Sequence, residues 1–384
     1  MKLLHTSDWH LGQTFFNYDR LDEHRHFFRQ LADIVARERP DVMVVSGDVF
    51  HVVMPSSASL RLFTDGLLGV CAAAPAMDVF VTAGNHDSAV RLEADSALWR
   101  HHRVRVVGGI GTDAAHMVFR LEDKAIVAAV PYFSPRFADP AVLFGSVGDE
   151  VRRLDDGRLP IVYMAHAAVA GADVSGHDDG VGGMDFIPLA ALGESFDYLA
   201  LGHIHCPQEL KGSQGRARYC GTPVATSFDE AYPHGVDIVE VRRGERPLVR
   251  TVKIEPLRPM RTLPKEPAPF DLAADALAAL PDDAECYVRL NVLVDDFLPS
   301  DAMRRASDVA RGKKCRLCLV RPVRPQGDWG EAARGGCLQM SEFRALDPVE
   351  VAKMAYEGKY GKAMDDSMVS LLKEVVDGIR QKES

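Results

Sequence analysis

Five short apolar runs between the N-terminus and residue 205 each end in residues that can bind a metal ion. A short apolar run of this kind is typical of a buried strand. In layered α/β proteins, functional sites lie beyond the carboxyl ends of the strands. The pattern therefore predicts an α/β fold in which separate strands bring their polar ends to one place. The residues at these ends are Asp8, His10, Asp48, Asn85, His86, His166, His203 and His205.

The same part of the chain alternates between strand and helix patterns. Apolar residues recur at helical spacing between Phe27 and Val35, and a second helix is predicted to start near Ser56. Strands are predicted at Leu3–Leu4, Val42–Val45, Val79–Val81, Ala125–Val130, Ile161–Met164, Tyr198–Leu201 and Val236–Val241. Such alternation favours helices layered on β-sheet, and we expect this main domain to span residues 1–260.

The composition is that of a globular chain without a membrane segment. Hydrophobic residues make up 47% of the 384 residues, yet no stretch approaches the roughly 18 consecutive apolar residues that span a bilayer. No signal-peptide pattern precedes the first strand, so we expect a cytoplasmic protein without a membrane partner. The net charge of −10 argues against a protein that coats nucleic acid by bulk charge.

A small second domain is predicted after the main one. Residues 262–271 contain three prolines and are predicted to be a linker. An α-β-α-β pattern follows, so we expect a small α/β domain over residues 271–325. Its last strand is predicted to carry Cys315, Leu317 and Leu319 on one face, which favours a strand over a metal-binding cysteine pair.

A helical tail is predicted at the end of the chain. A second linker, rich in Pro, Gly and Arg over residues 321–336, precedes two short helices with apolar stripes in residues 346–384. Such helices either pack on their own protein or dock on a partner. The residues predicted to anchor a partner are Leu371, Leu372, Val375 and Val376.

The residue types at the strand ends suit divalent metal ions. Taken singly, a strand-end histidine is usually plain surface and a Gly-Asp pair is usually a turn. Five such ends in one chain instead favour a shared site. Asp, Asn and His are suitable ligands for manganese, iron or zinc. Two ions roughly 3.5–4 Å apart can clamp a phosphoryl group, with a carboxylate as their natural bridge.

These residues resemble the motifs of the calcineurin-like metallophosphoesterase superfamily. The shared motifs are D-x-H at Asp8, G-D at Asp48, G-N-H-D at residues 84–87, the strand-end His166, and G-H-x-H at residues 202–205. The stretches KLLHTSDWHLG, YCGTPVATSFDE and DPVEVAKMAYEGKYG are similar to the SbcD nuclease family within that superfamily. The resemblance implies an α/β fold: a layered β-sheet sandwich flanked by helices, with a small α/β capping domain and C-terminal helices.

The resemblance also implies roles for the site residues. Two divalent ions, expected to be manganese, would be bridged by Asp48, and His86 would be the catalytic histidine. We interpret His51 as an orienting or phosphate-contacting partner of His86, the alternative being a solvated loop histidine. One ion would be bound by Asp8, His10, Asp48 and His205, and the other by Asp48, Asn85, His166 and His203.

The activity implied is that of a manganese-dependent DNA nuclease. It would be an exonuclease on double-stranded ends and an endonuclease on single strands and hairpins, acting in DNA repair, recombination and replication. The implied assembly is a homodimer within a heterotetramer, with the ATPase SbcC bound by the C-terminal helices. Two alternatives remain open: a phosphodiesterase or phosphatase for small molecules, and a DNA-end scaffold without catalysis.

A basic segment over residues 301–324 is the predicted DNA contact. It contains eight basic and two acidic residues, which suits contact with a phosphate backbone. A solvated charged face is the alternative. The candidate DNA-binding residues are Arg304, Arg305, Lys313, Lys314 and Arg316.

Overall fold

The structure is a computed structural model that describes residues 1–176, 185–295 and 297–324, together with residues 349, 353, 356, 364, 365, 368, 369 and 372. The strands are β1 (Lys2–Thr6), β2 (Thr14–Phe15), β3 (Tyr18–Asp19), β4 (Val42–Ser46), β5 (Asp78–Thr82), β6 (Val104–Val107), β7 (Val118–Leu121), β8 (Ala125–Val130), β9 (Ile161–His166), β10 (Tyr198–Gly202), β11 (Gln208–Glu209), β12 (Ala217–Tyr219), β13 (Gly235–Glu240), β14 (Leu248–Lys253), β15 (Met260–Ala268), β16 (Tyr287–Leu293) and β17 (Arg316–Val323). The helices are α1 (Leu21–Glu38), α2 (Ser57–Ala73), α3 (Ala89–Glu93), α4 (Ser96–Trp99), α5 (Pro140–Leu154), α6 (Phe270–Ala278) and α7 (Ala302–Ala310).

Two six-stranded sheets form the main body of the fold. The first has the order β14-β13-β1-β4-β5-β6 and the second β11-β12-β10-β9-β8-β7. Strands β1, β4, β5 and β6 run parallel, as do β8, β9, β10 and β12. Because the neighbouring strands of each parallel set point the same way, their carboxyl ends lie at one edge of each sheet. The predicted sheet sandwich is confirmed.

The core between the two sheets follows from the alternation of side chains along each strand. Leu3 and Val44 of the first sheet pack in one cluster with residues of the second sheet such as Val127 and Leu199. Their chain neighbours Leu4 and others face the opposite side and join a second cluster with helices α1 and α2. Both faces of these strands are therefore buried, which explains why they are continuous apolar runs.

Helices α1 and α2 cover the outer face of the first sheet. On α1, Phe27, Leu31 and Val35 recur at helical spacing and are buried against the sheet. Helix α2 begins after Ser56, whose hydroxyl accepts a hydrogen bond from the backbone of Ser59 at 3.2 Å. This cap satisfies a backbone N–H group that the first helical turn leaves free. The predicted start of this helix is confirmed.

A three-stranded parallel sheet with order β15-β16-β17 forms the C-terminal part of residues 1–323. Helices α6 and α7 connect its strands, and we call β15–β17 with these helices the small layer. The predicted linker at residues 262–271 is wrong, because strand β15 runs to Ala268 and helix α6 follows. Prolines are tolerated there since β15 is an edge strand, where a missing N–H group costs little.

The last strand of the small layer contains a β-bulge. Val288 pairs with Leu317, whereas the next residue, Arg289, pairs with Leu319, so Cys318 is the extra residue. Leu317 faces the cluster with Cys315, while Leu319 lies with the other cluster around Cys318. The strand prediction is confirmed, but the placement of Leu319 on the face of Leu317 is wrong because the bulge reverses the alternation.

Residues 1–323 group as one compact unit, so the boundary near residue 260 stays a prediction. In the C-terminal unit, the described residues Val349, Met368, Val369 and Leu372 are helical. Among the helices that the structure describes, none is long and apolar enough to cross a membrane.

Candidate active site

The predicted site residues of five strand ends come together in the structure. They follow β1, β4, β5, β9 and β10, whose carboxyl ends meet where the two large sheets face each other. Four of these residues have a positive φ, which is uncommon outside glycine and is concentrated at functional sites. They are Asp8 at 53°, His10 at 46°, Asp48 at 49° and His203 at 100°.

Asp8, His10 and His205 form one cluster with metal-binding geometry. Their ligand atoms all lie within 4.8 Å of one another, and all three residues are buried. The Nε2 atoms of His10 and His205 are 3.1 Å apart. Two ligands at right angles on one ion, each about 2.1 Å from it, lie ~3.0 Å apart, so this spacing suits a shared ion.

Asn85, His166 and His203 form the second half of the site. The Oδ1 atom of Asn85 lies 2.9 Å from Nε2 of His166 and 3.0 Å from Nδ1 of His203. The other ring nitrogen of His166 donates to the carbonyl of Ser46 at 2.9 Å, which fixes the tautomer. The Nε2 atom of His166 is therefore left as the acceptor that a metal ion requires.

Asp48 lies between the two halves. Its Oδ2 atom is 3.7 Å from Nε2 of His10, and its Oδ1 atom is 3.6 Å from Nε2 of His166. Each carboxylate oxygen thus faces a histidine of a different half. This is the position that a bridging carboxylate would occupy.

His86 and His51 lie beside the first half of the site. The backbone N–H of His86 donates to Oδ1 of Asp48 at 2.9 Å, and Nδ1 of its ring donates to the carbonyl of His51 at 2.8 Å. The rings of His51 and His86 stack with centroids 5.5 Å apart, and Nδ1 of His51 is 3.4 Å from Nδ1 of His10. His51 is therefore a half-buried neighbour of His86.

Two glycines permit the close approach of these loops. A side chain at Gly84 would place its Cβ 2.0 Å from Oδ1 of Asp48. Gly47 has φ +84°, and a Cβ there would lie 2.2 Å from Nδ1 of His166. Both contacts are far shorter than van der Waals distance, so the Gly-Asp and Gly-Asn pairs of the sequence reflect crowding around the site.

The electrostatics of the site suit a bound cation. Burial raises the pKa of the Asp8 carboxyl, and it raises the pKa of Asp48 to about 6. Burial lowers the pKa of His10 well below its usual value and lowers that of His166. Buried carboxyl oxygens and neutral imidazole nitrogens gathered in one place are the donor set of a divalent metal ion. The residues present therefore fit metal binding.

Two buried carboxylates at this site were not predicted as functional residues. Oε1 of Glu230 lies 2.8 Å from Nδ1 of His205. Asp87 accepts hydrogen bonds from the backbone N–H groups of Val49, Phe50 and Gly84 at 2.8–3.0 Å, which joins the two loops after β4 and β5. Asp87 stands in the G-N-H-D motif and Glu230 in the SFDE stretch, and these positions were the available signals.

The five predicted DNA-contacting residues all have acidic partners within the chain. Arg304 pairs with Asp301 and Asp308, and Arg305 with Asp271. These pairs are largely exposed, and exposed pairs contribute little and exchange readily. Contact with DNA therefore stays a prediction. The remaining pairs are Lys313–Asp282, Lys314–Glu285 and Arg316–Glu23.

Most of the predicted partner-binding residues lie outside the described part of the chain. Leu372 is helical and half-buried. Leu371, Val375 and Val376 are not among the described residues.

Residues 1–207 match the family model of the calcineurin-like phosphoesterases, and residues 256–360 match a model described as the type 5 capsule protein repressor C-terminal domain. The first match covers more than half of the chain and includes every strand end described above. The fold and the site thus define a calcineurin-like phosphoesterase, a class of metal-dependent phosphodiester hydrolases.

Three relatives are named as the SbcD component of the nuclease SbcCD. The protein of Rhodobacter capsulatus is 35% identical over 317 residues, covering 73% of this chain and 77% of the relative. The Escherichia coli K12 protein is 27% identical and covers 85% of this chain and 86% of its own length. The Bacillus subtilis protein is 28% identical over the full length of both. The chain belongs to the SbcD family of nucleases.

Proposed function

We propose that the protein is a manganese-dependent DNA nuclease that works with an SbcC ATPase in DNA repair, recombination and replication. It would act as an exonuclease on double-stranded ends and as an endonuclease on single strands and hairpins. The observation that carries the proposal is the convergence of the strand-end residues in one buried donor set. The relatives named as part of a nuclease supply the substrate class.

Seven residues would bind the two ions. Asp8, His10, Asp48 and His205 would bind one, and Asp48, Asn85, His166 and His203 the other. The support is that the histidines of the two halves face different oxygens of Asp48. When bound, such ions supply positive charge that polarises a phosphodiester and activates water.

His86 would be the general acid. Its Nδ1 atom donates to the carbonyl of His51, so the proton it can deliver in the imidazolium form is on Nε2. Donation from Nε2 to the leaving oxygen would neutralise the charge that develops as the ester bond breaks. His51 would orient this ring through its carbonyl and by ring stacking.

The remainder of the chain would serve assembly and substrate choice. We propose a capping role for residues 271–325 and an SbcC-binding role for residues 346–384, within a homodimer in a cytoplasmic heterotetramer. Support comes from the names of the relatives, which are one component of a two-part complex. The apolar stripes of the terminal helices fit the helix-in-groove mode of recognition.

The test compares substrates and metals directly. Purified protein is incubated with linear duplex DNA, hairpin DNA or a small aromatic phosphodiester, with manganese, magnesium or chelator, and with or without SbcC. Manganese-dependent cleavage of DNA that exceeds cleavage of the small ester is expected. Hydrolysis of the small ester alone would favour a small-molecule phosphodiesterase, and metal binding without hydrolysis would favour a scaffold.

A further inference from the structure

Glu230 is a fully buried carboxylate in contact with a proposed metal ligand. Its Oε1 atom lies 2.8 Å from Nδ1 of His205, and its side chain is closed to solvent. A carboxylate accepts, so Nδ1 of His205 is the donor and the lone pair of Nε2 is left for a metal ion. That Nε2 atom is the one that lies 3.1 Å from His10.

The carboxylate of Glu230 is itself fixed in orientation. The backbone N–H of Thr226 donates to Oε2 at 2.9 Å, and the Thr226 hydroxyl donates to Oε1 at 2.5 Å. Both oxygens are therefore engaged within one short turn. Rotation of the carboxylate away from His205 would break these bonds.

The residue before Glu230 is bound by the small layer. Oδ1 of Asp229 accepts from Arg289 of β16 at 2.7 Å and from Arg321 of β17 at 3.3 Å. The guanidinium of Arg289 also lies 5.2 Å from the ring centroid of Phe228. Consecutive residues thus face different parts of the molecule: Asp229 contacts the small layer, and Glu230 contacts the metal site.

We propose that Glu230 is a positioning residue for His205 and that the small layer keeps it in place through Asp229. The inference rests on the proposed function, in which His205 is a metal ligand. A carboxylate behind a metal-binding histidine fixes its tautomer and increases its basicity. Displacement of the small layer would weaken the ion bound by Asp8, His10 and His205 and would leave the other ion unchanged.

The first experiment measures binding of manganese alone by calorimetric titration of the full-length chain. Glu230→Gln should lower the affinity of one ion by about 10–100-fold, because the amide lacks the charge that supports His205. The second ion should bind as in the unchanged protein. His205→Ala should affect the same ion more strongly. Glu245→Gln, at an exposed surface position, is the matched control and should change neither.

The outcomes separate this inference from the proposed function. Unchanged binding in His205→Ala would refute the proposed ligand assignment. A loss in His205→Ala without one in Glu230→Gln, or an equal loss of both ions in Glu230→Gln, would overturn the positioning role. If Glu230→Gln does not fold, Thr226→Val decides, because it keeps the carboxylate and removes one of its donors. Weaker binding of the same ion supports the proposal, and unchanged binding overturns it.

A second experiment tests the connection to the small layer. Asp229→Asn and Arg289→Gln should each weaken the same ion several-fold, and the double variant should be no weaker than the stronger single one, since both remove one contact. Asp271→Asn, which breaks an exposed pair with Arg305 inside the small layer, should bind manganese normally. Normal binding in Asp229→Asn would overturn the role of the small layer.

Discussion

At the scale of single residues, the site is built from histidines whose second nitrogen is already engaged. In His86 and His166, Nδ1 donates to a carbonyl oxygen, and in His205 it donates to a carboxylate. In each ring this leaves Nε2 for the chemistry. The tautomers of these three residues are therefore set by hydrogen bonds outside the proposed metal positions.

The first prediction at this scale concerns His86. His86→Ala should keep both metal ions and lower the rate of DNA cleavage by about 10²–10⁴-fold, because the side chain would supply a proton and would not bind metal. The measurements are metal content and single-turnover cleavage at saturating manganese. His101→Ala, in an exposed short helical turn, is the control. Full activity in the His86 variant would contradict its assignment as the acid.

The second prediction distinguishes the bridging carboxylate from a terminal ligand. Asp48→Ala should lower occupancy of both sites, because its two oxygens face histidines of different halves. His10→Ala should mainly empty one site. Metal stoichiometry of the two purified variants provides the comparison. If each variant loses a single ion, Asp48 is not the bridge.

At the scale of elements, strand ends and strand starts have different tasks. The carboxyl ends of the parallel strands place the site, and strained backbone occurs there, as at Asp8 and Asp48. The start of β5 instead carries a buried charge that joins strands to loops. Asp78 is 1% exposed and pairs with Arg103, Arg105 and Lys124 at 2.7–3.1 Å.

The third prediction follows from that charge. Burial raises the pKa of Asp78, but Lys124, Arg105 and Arg103 outweigh burial, so the pKa lies below its usual value. The unfolded chain then binds more protons in acid, and stability is lost as pH falls below about 5. Asp78→Asn should cost about 1–2 kcal/mol at pH 7, given that the partners are partly exposed, and less at pH 4.

Urea unfolding at pH 7, 5 and 4 measures this difference. Asp283→Asn, at an exposed position, is the control and should track the unchanged protein at every pH. A constant difference between the Asp78 variant and the unchanged protein across this range would argue against a depressed pKa for Asp78.

At the scale of the whole molecule, the small layer and the main body are linked by mixed contacts. Phe15 of the main body packs with Tyr287 and Cys318 of the small layer, and Tyr287 donates to Glu23 at 2.6 Å. Each of these contacts joins residues more than 260 positions apart. The position of the small layer is therefore coupled to the body that carries the metal site.

The fourth prediction concerns the C-terminal tail. Deleting residues 346–384 should abolish SbcC binding and leave manganese-dependent cleavage of short DNA intact, because the predicted apolar stripes lie far along the chain from every proposed ligand. Leu372→Glu should weaken the complex in the same way. Pull-down and a calorimetric melting scan are the measurements. An undiminished complex would refute the docking role, and a midpoint lowered by several degrees in the truncated chain would mean that the tail packs on its own protein.

The sequence by itself determined the strands and the proposed ligands. Apolar runs, helical spacing and strand-end polar residues are local patterns, so the order of elements and the residues from Asp8 to His205 could be predicted. Even a cap such as Ser56 is a local signal. These features depend on neighbours within a few positions, and the sequence states such neighbours directly.

Only the tertiary structure decided what distant neighbours do. Glu230 meets His205 across 25 positions, and Asp229 meets Arg289 across 60. Strand β15 was mistaken for a linker because an edge strand tolerates prolines, and edge position is set by the sheet. Contacts of this kind leave no periodicity in the chain, since they arise only when separate elements pack against one another.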